Sequence, residues 1–226
     1  MGLMQLTILS LLGVVFLYYV IKEIQEVIFL KSILNTIVGK PKIDSIQDLI
    51  KIKNYLQKTI RYEESLINKK RPLLRHTASQ ILKDNYGFCG ENARVTIKLF
   101  HLGGVKARRI YMFRKEWQHV LIEHKYKNSW YMFDGHYDPS TLLKDQAVAT
   151  IPTENILSYP NDYPNNPYLD FCRIKLFYKI NLLKPYSKVK LPNFIIYFFE
   201  SPYLIKAFGI ISIQIFTLLI FMLILN

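Results

Sequence analysis

The sequence predicts an α+β domain held between two membrane-spanning helices, and three observations predict it. Every charged residue falls between Lys22 and Lys206, which leaves an uncharged run at each end. Between those limits helical periodicities come first and strand-like runs follow, the order of an α+β fold rather than of alternating βαβ units. The 30 Lys plus Arg and 17 Asp plus Glu, a formal net charge of +13, all belong to that middle stretch. A chain of 226 residues that is 50% hydrophobic is not a disordered one, and two cysteines do not make a disulfide scaffold.

Gly2 to Ile21 carries no charge, and at a rise of about 1.5 Å per residue it reaches roughly the 30 Å of a bilayer's hydrocarbon core. No Lys or Arg precedes it and no small-x-small site follows it, so residues 1–21 read as an uncleaved anchor rather than a signal peptide. Ala207 to Asn226 is a second uncharged run and reads as a second span, 207–226, giving a two-pass membrane protein. Tyr18, Tyr19, Tyr197 and Tyr203 lie near the inner ends, where interfacial aromatics belong. The flanking lysines (Lys22, Lys31, Lys184, Lys188, Lys190, Lys206) favour a cytoplasmic domain, by a rule that weakens for loops beyond about 60 residues.

The elements between follow in order. Ile24, Val27, Ile28, Leu34, Ile37 and Val38 continue a helical pattern to Gly39-Lys40-Pro41, so 22–44 is a juxtamembrane helix and linker. Ser45 and Asp48 form a capping-box pair ahead of a helix through Leu49, Lys53, Leu56 and Ile60. Residues 61–76 are a polar connection. Thr77 or Ser79 caps a short helix that ends near Asn85-Tyr86-Gly87. The next helix begins at Cys89, is apolar on several sides and is therefore central, and stops at Gly103-Gly104. Strands are expected at Ala107–Phe113, His119–His124, Ser129–Phe133 and Phe171–Ile180, with a loop at Asp162–Pro167. The domain is expected to span 45–191, with 192–206 a second juxtamembrane segment.

Cys89 at the first turn of a helix is the candidate nucleophile, because the helix N-terminus stabilises a thiolate and its N–H groups suit an oxyanion. A hairpin closing around Lys125 to Asn128 that pairs Leu121 with Met132 and Glu123 with Trp130 would set His119 opposite Asp134 on one face. A carboxylate so placed fixes the imidazole while its other nitrogen faces the thiol.

Gly87-Phe88-Cys89 and the helix after it, Leu102 to Arg108, His119-Val120 and Trp130 to Asp134 resemble the transglutaminase-like superfamily, whose core is similar to papain-like cysteine proteases. The resemblance covers about residues 45–140. It implies a Cys89-His119-Asp134 triad performing acyl transfer or amide hydrolysis through a thioester, on a peptide, protein or other amide-containing substrate. Gly90 after the cysteine and Gly135-His136 after the aspartate, where proline is frequent, depart from the common pattern. Gln80 and Asn85 are candidates for the upstream oxyanion donor, and each also reads as a helix cap.

His136 and Asp138 share the parity of Asp134 and are alternatives for its role. His119 and His124 differ by an odd number and face opposite sides of a strand, so no metal is expected, nor any other cofactor. Cys172 reads as a core residue. Lys and Arg are scattered without a nucleic-acid motif, so membrane lipids rather than nucleic acid are the expected partner of the charge. The sequence leaves the oligomeric state open. A binding or scaffolding module that keeps the fold without turnover is the second reading, and the intact triad argues against it.

Overall fold

The computed structural model describes residues 3–62, 76–113, 118–136, 152–154 and 170–225. Helix α1 (Leu3–Val38) is continuous over 36 residues. Its first half leaves Leu11, Val14, Leu17 and Ile21 exposed, whereas Leu30, Leu34 and Val38 of its second half are buried in the core. Gly39 takes φ +79° and closes it, donating its N–H to Asn35 O at 2.8 Å.

Helix α2 (Ile46–Thr59) starts in the expected box: Ser45 Oγ accepts from Asp48 N, and Asp48 Oδ2 accepts from Ser45 N at 3.1 Å. It buries Leu49, Ile52 and Leu56 against α1. Helix α3 (Ala78–Asp84) is capped by Thr77 and ends at Asn85 in the left-handed region, φ 60°. Helix α4 (Cys89–Leu102) is buried from Asn92 to Phe100 without a break, which makes it the axis of the domain.

The sheet beside α4 is antiparallel, in the order β3-β2-β1-β4, from β1 (Ala107–Phe113), β2 (Gln118–Tyr126), β3 (Ser129–Phe133) and β4 (Asp170–Cys172). The β2–β3 register is Ile122 with Phe133 and Glu123 with Met132, two residues away from the expected pairing. The cause is the turn: Lys125 and Tyr126 stay in the strand, and only Lys127 and Asn128 turn, Lys127 at φ 51°. A shift of two preserves parity, so His119 and Asp134 remain on one face as diagonal neighbours.

Beyond Cys172 the chain departs from the expected strand. Arg173 N and Ile174 N both donate to Ser187 O, and α5 (Lys175–Lys179), a 3-10 helix (Asn181–Lys188) and α6 (Asn193–Glu200) follow. The apolar residues that suggested a strand point outward instead; Leu176 is 64% exposed. The expected connection over 61–76 and loop over 162–167 lie largely or wholly outside the described residues.

Helix α7 (Pro202–Leu225) ends the described chain and packs along α1, with Gln214 Nε2 donating to Leu9 O at 3.3 Å. Gln5–Val38 and Pro202–Leu223 are long and apolar enough to cross a membrane, with mean hydropathy 1.8 and 2.2 over their most apolar stretches.

The helices are joined through buried charge. Lys98 of α4, fully buried, donates to Glu23 Oε1 at 2.8 Å and Glu26 Oε2 at 2.5 Å, both on α1. Ser79 N of α3 donates to Glu26, and Tyr197 OH of α6 to Glu23. A further buried carboxylate, Glu200 of α6, holds Arg109 of β1 by two bonds and lies 3.5 Å from Arg94 Nε of α4. Removing one partner of a buried pair strands the other's charge, so Lys98→Met is expected to cost about 3–5 kcal/mol. Substituting Glu23→Gln and Glu26→Gln in the same chain is expected to recover most of that loss, measured by thermal unfolding of the full chain in nanodiscs.

Candidate active site

The turn that presents Cys89 is held from both sides. Arg61 N donates to Asn85 O and Gly87 N to Arg61 O, each at 3.0 Å, which pairs the end of α2 with the segment before the cysteine. A Cβ on Gly87 would stand 3.2 Å from both Glu91 Cβ and Ile81 Cγ2, so the segment lies tight against α3 and α4. Phe88 N then donates to Glu91 Oε2 at 2.9 Å, and Glu91 Oε1 meets His76 Nδ1 at 2.9 Å. Cys89 follows as the first residue of α4, half-buried, where the helix's unpaired N–H groups and positive dipole end converge.

His119 near the start of β2 is buried, its Nε2 2.5 Å from Asp134 Oδ2, and it also hydrogen-bonds Cys89. With Nε2 on the carboxylate, Nδ1 is the nitrogen left for the thiol. Burial alone would lower the imidazole's pKa, but the charge of Asp134 and the hydrogen bonds to Asp134 and Cys89 outweigh it and raise the value to about 10. Asp134 responds in the opposite sense. Burial would raise its carboxyl, and the charge and hydrogen bond of His119 with the His136 N–H hold it below the ordinary range. The structure thus brings together all three residues singled out from the sequence.

Two residues unforeseen in the sequence complete the frame. Asn92 Nδ2 donates to Gly135 O at 3.1 Å, and Asn92 Oδ1 accepts from Thr96 Oγ1 at 3.2 Å, tying α4 to the segment after Asp134. A Cβ at position 135 would stand 2.0 Å from Asn92 Oδ1, so glycine is required by that contact. Glu91 is the second, through Phe88 and His76. The signal available for Asn92 was its place three residues after Cys89, on the same face of a helix.

The remaining candidates sort by geometry. His136 donates its backbone N–H to Asp134 Oδ1 at 2.8 Å, and its ring hydrogen-bonds the Phe88 backbone, joining the aspartate to the cysteine turn. Burial keeps its imidazole below the ordinary value despite Asp134 nearby. Gln80 and Asn85 act as caps of α3, Gln80 Oε1 accepting from Thr77 N at 3.1 Å. Asp138 lies outside the described residues. His124 packs edge-on to Phe100 in the core. Cys172 is a free thiol buried on β4, pushed up to about 12 by burial and the charge of Asp170. Among the described residues, no three His, Cys, Asp or Glu side chains are grouped to hold a metal ion.

The family model that matches the chain agrees with this architecture. Residues 31–135 match the model of the transglutaminase-like superfamily. No curated protein matches the chain. Among solved structures, a "putative cysteine protease" from Cytophaga hutchinsonii matches at 16% identity and a TM-score of 0.41, over 48% of this chain and 37% of that one. The helices and antiparallel sheet that carry Cys89, His119 and Asp134 therefore have a transglutaminase-like fold, flanked by two apolar helices long enough to span a membrane.

Proposed function

We propose that the protein is a membrane-anchored cysteine enzyme that catalyses acyl transfer or amide hydrolysis through a thioester. The observation that carries the reading is the chain of contacts from the half-buried Cys89 through His119 to Asp134. Cys89 is the nucleophile, His119 the proton carrier and Asp134 the orienting carboxylate. The thiolate attacks the substrate carbonyl, and the N–H groups of the first turn of α4 face the developing oxyanion. The C–N or C–O bond breaks as His119 gives its proton to the departing amine or alcohol. Water or an amine then attacks the thioester, loses its proton to His119 and returns the thiolate. The two apolar helices supply the anchor, and the fully buried Lys98–Glu23–Glu26 cluster makes α1 part of the domain it anchors.

The test is alkylation of the full chain by iodoacetamide at pH 6.5, read at each cysteine by mass spectrometry. Cys89 is expected to react rapidly and the buried Cys172 slowly, and His119→Ala is expected to slow Cys89 by about tenfold or more. Equal Cys89 rates in both proteins, at the pace of an unactivated thiol, would overturn the reading and favour a binding module.

A second outcome concerns stability. His119 binds its proton up to about pH 10 when folded and up to about 6.5 when unfolded, so between those values the folded state holds more proton. The stabilisation is complete below about pH 6.5 and is lost as pH rises through about 10. Melting temperature should fall across that window in the wild type, and much less steeply in Asp134→Asn.

A further inference from the structure

A cavity of about 1120 Å³ lies against the first turn of α4, and Phe88, Gly90 and Glu91 form one wall of it. Cys89 itself, between them in the chain, borders a small separate space with Asn92, Asp134 and His136. The large cavity thus begins beside Cys89, and its volume is a little above the range of about 300–1,000 Å³ that small-molecule sites use.

Most of its apolar lining, with Lys175 and Lys179, comes from the segment leading into the second apolar helix. Leu176 and Phe177 of α5, Leu191, and Ile195 and Phe199 of α6 line the cavity. Leu176 and Phe199 are also 64% and 52% exposed, so the rim is apolar as well as the interior. The same segment turns Leu182, Tyr186 and Phe194 outward, 84%, 59% and 75% exposed, among Lys179, Lys184, Lys188 and Lys190. Large apolar side chains interleaved with lysines, directly ahead of a membrane-length helix, are the pattern of a segment lying in the lipid interface.

Basic side chains line the cavity as well. Arg94, Arg108, Arg109 and Arg173 line the cavity, and between them they pair with two buried carboxylates, Glu123 and Glu200. Arg108 Nη2 is buried without a hydrogen-bond partner. Position 90 links this charge to the nucleophile: a Cβ there would stand 3.2 Å from Arg109 Nη1, so the absence of a side chain lets the guanidinium sit beside Cys89.

We propose that this cavity binds an acyl chain bearing an anionic head group, taken from the bilayer, and that the carbonyl offered to Cys89 belongs to such an amphiphile. Apolar walls take the chain, the arginines take the head group, and the exposed rim opens to lipid. The proposal rests on Cys89 being the nucleophile for its chemistry but not for its binding. Sγ attacks the carbonyl of an ester or amide, the C–O or C–N bond breaks, and the alcohol or amine leaves with the His119 proton. Water then releases the carboxylic acid and restores the thiolate and the imidazolium.

The experiment uses the full chain in phosphatidylcholine nanodiscs and a diazirine-bearing palmitate, with adducts located by mass spectrometry. Adducts are expected on Leu176, Phe177, Ile195 or Phe199, competed by oleate and not by oleyl alcohol at the same concentration. Ile195→Trp, which fills the apolar wall away from Cys89, should lower labelling about fivefold or more while iodoacetamide still alkylates Cys89 at the wild-type rate. Adducts confined to the bilayer-facing surfaces of α1 and α7, or equal competition by the alcohol, would overturn the proposal. Normal cavity labelling in a protein whose Cys89 reacts as an ordinary thiol would uphold the binding site and count against the thiol mechanism alone.

Discussion

The fold depends on one buried cation. Lys98 sits in the middle of α4 with no solvent exposure, and its ammonium meets Glu23 and Glu26 one turn apart on α1. Taking three charges out of water costs several kcal/mol each, and attraction at short range offsets this only when the remaining lone pairs are satisfied. Ser79 N, Tyr197 OH and the Tyr197 ring, 5.1 Å from the ammonium, add partners from α3 and α6, while Glu23 Oε2 is left buried without one. One cluster therefore fixes four helices, two of which continue toward the apolar ends of the chain. Apolar packing alone would tolerate sliding of α1 along α4; two carboxylates on successive turns accept one lysine only at a single register.

The same helix carries Cys89 nine positions earlier, so the register set by Lys98 also sets where the thiol stands relative to the sheet. The sheet has its own tie, because Glu200 of α6 grips Arg109 of β1 and reaches Arg94 of α4. Lys98–Glu23/Glu26 joins α4 to the helix before the domain, and Glu200–Arg109–Arg94 joins α4 and β1 to the helix after it. The helix that begins at Cys89 is thereby clamped between the two segments that lead to the membrane-length helices.

Much of this was legible in the sequence where the determinants are local. Ser45 with Asp48, Thr77 ahead of α3, and Gly39 and Asn85 as stops act within four residues, and each is where expected. The juxtaposition of His119 and Asp134 survived an error of two in register because only parity decides the face of a strand. Residues 173–180 misled because outward-facing apolar side chains have the same composition as those of a buried strand; only their neighbours distinguish the two. The Lys98 cluster spans more than 70 residues, and a lysine in a helical pattern ordinarily marks a solvated face. No spacing rule connects it to Glu23 and Glu26.

The two glycines that depart from the common transglutaminase-like pattern have separate physical reasons. At position 135 the carbonyl must approach Asn92 closely, and a side chain would collide with an amide fixed by Thr96, so the substitution is imposed by the frame around Asp134. At position 90 the contact displaced would be Arg109 Nη1, the far end of a long side chain, which moves easily were it not held by Glu200. Packing thus demands glycine at 135, where a Cβ would stand 2.0 Å from Asn92 Oδ1, more strictly than at 90, where it would stand 3.2 Å from the guanidinium that Glu200 holds. Position 90 lies in the first turn of α4, which lines one cavity together with the segment leading into the second apolar helix.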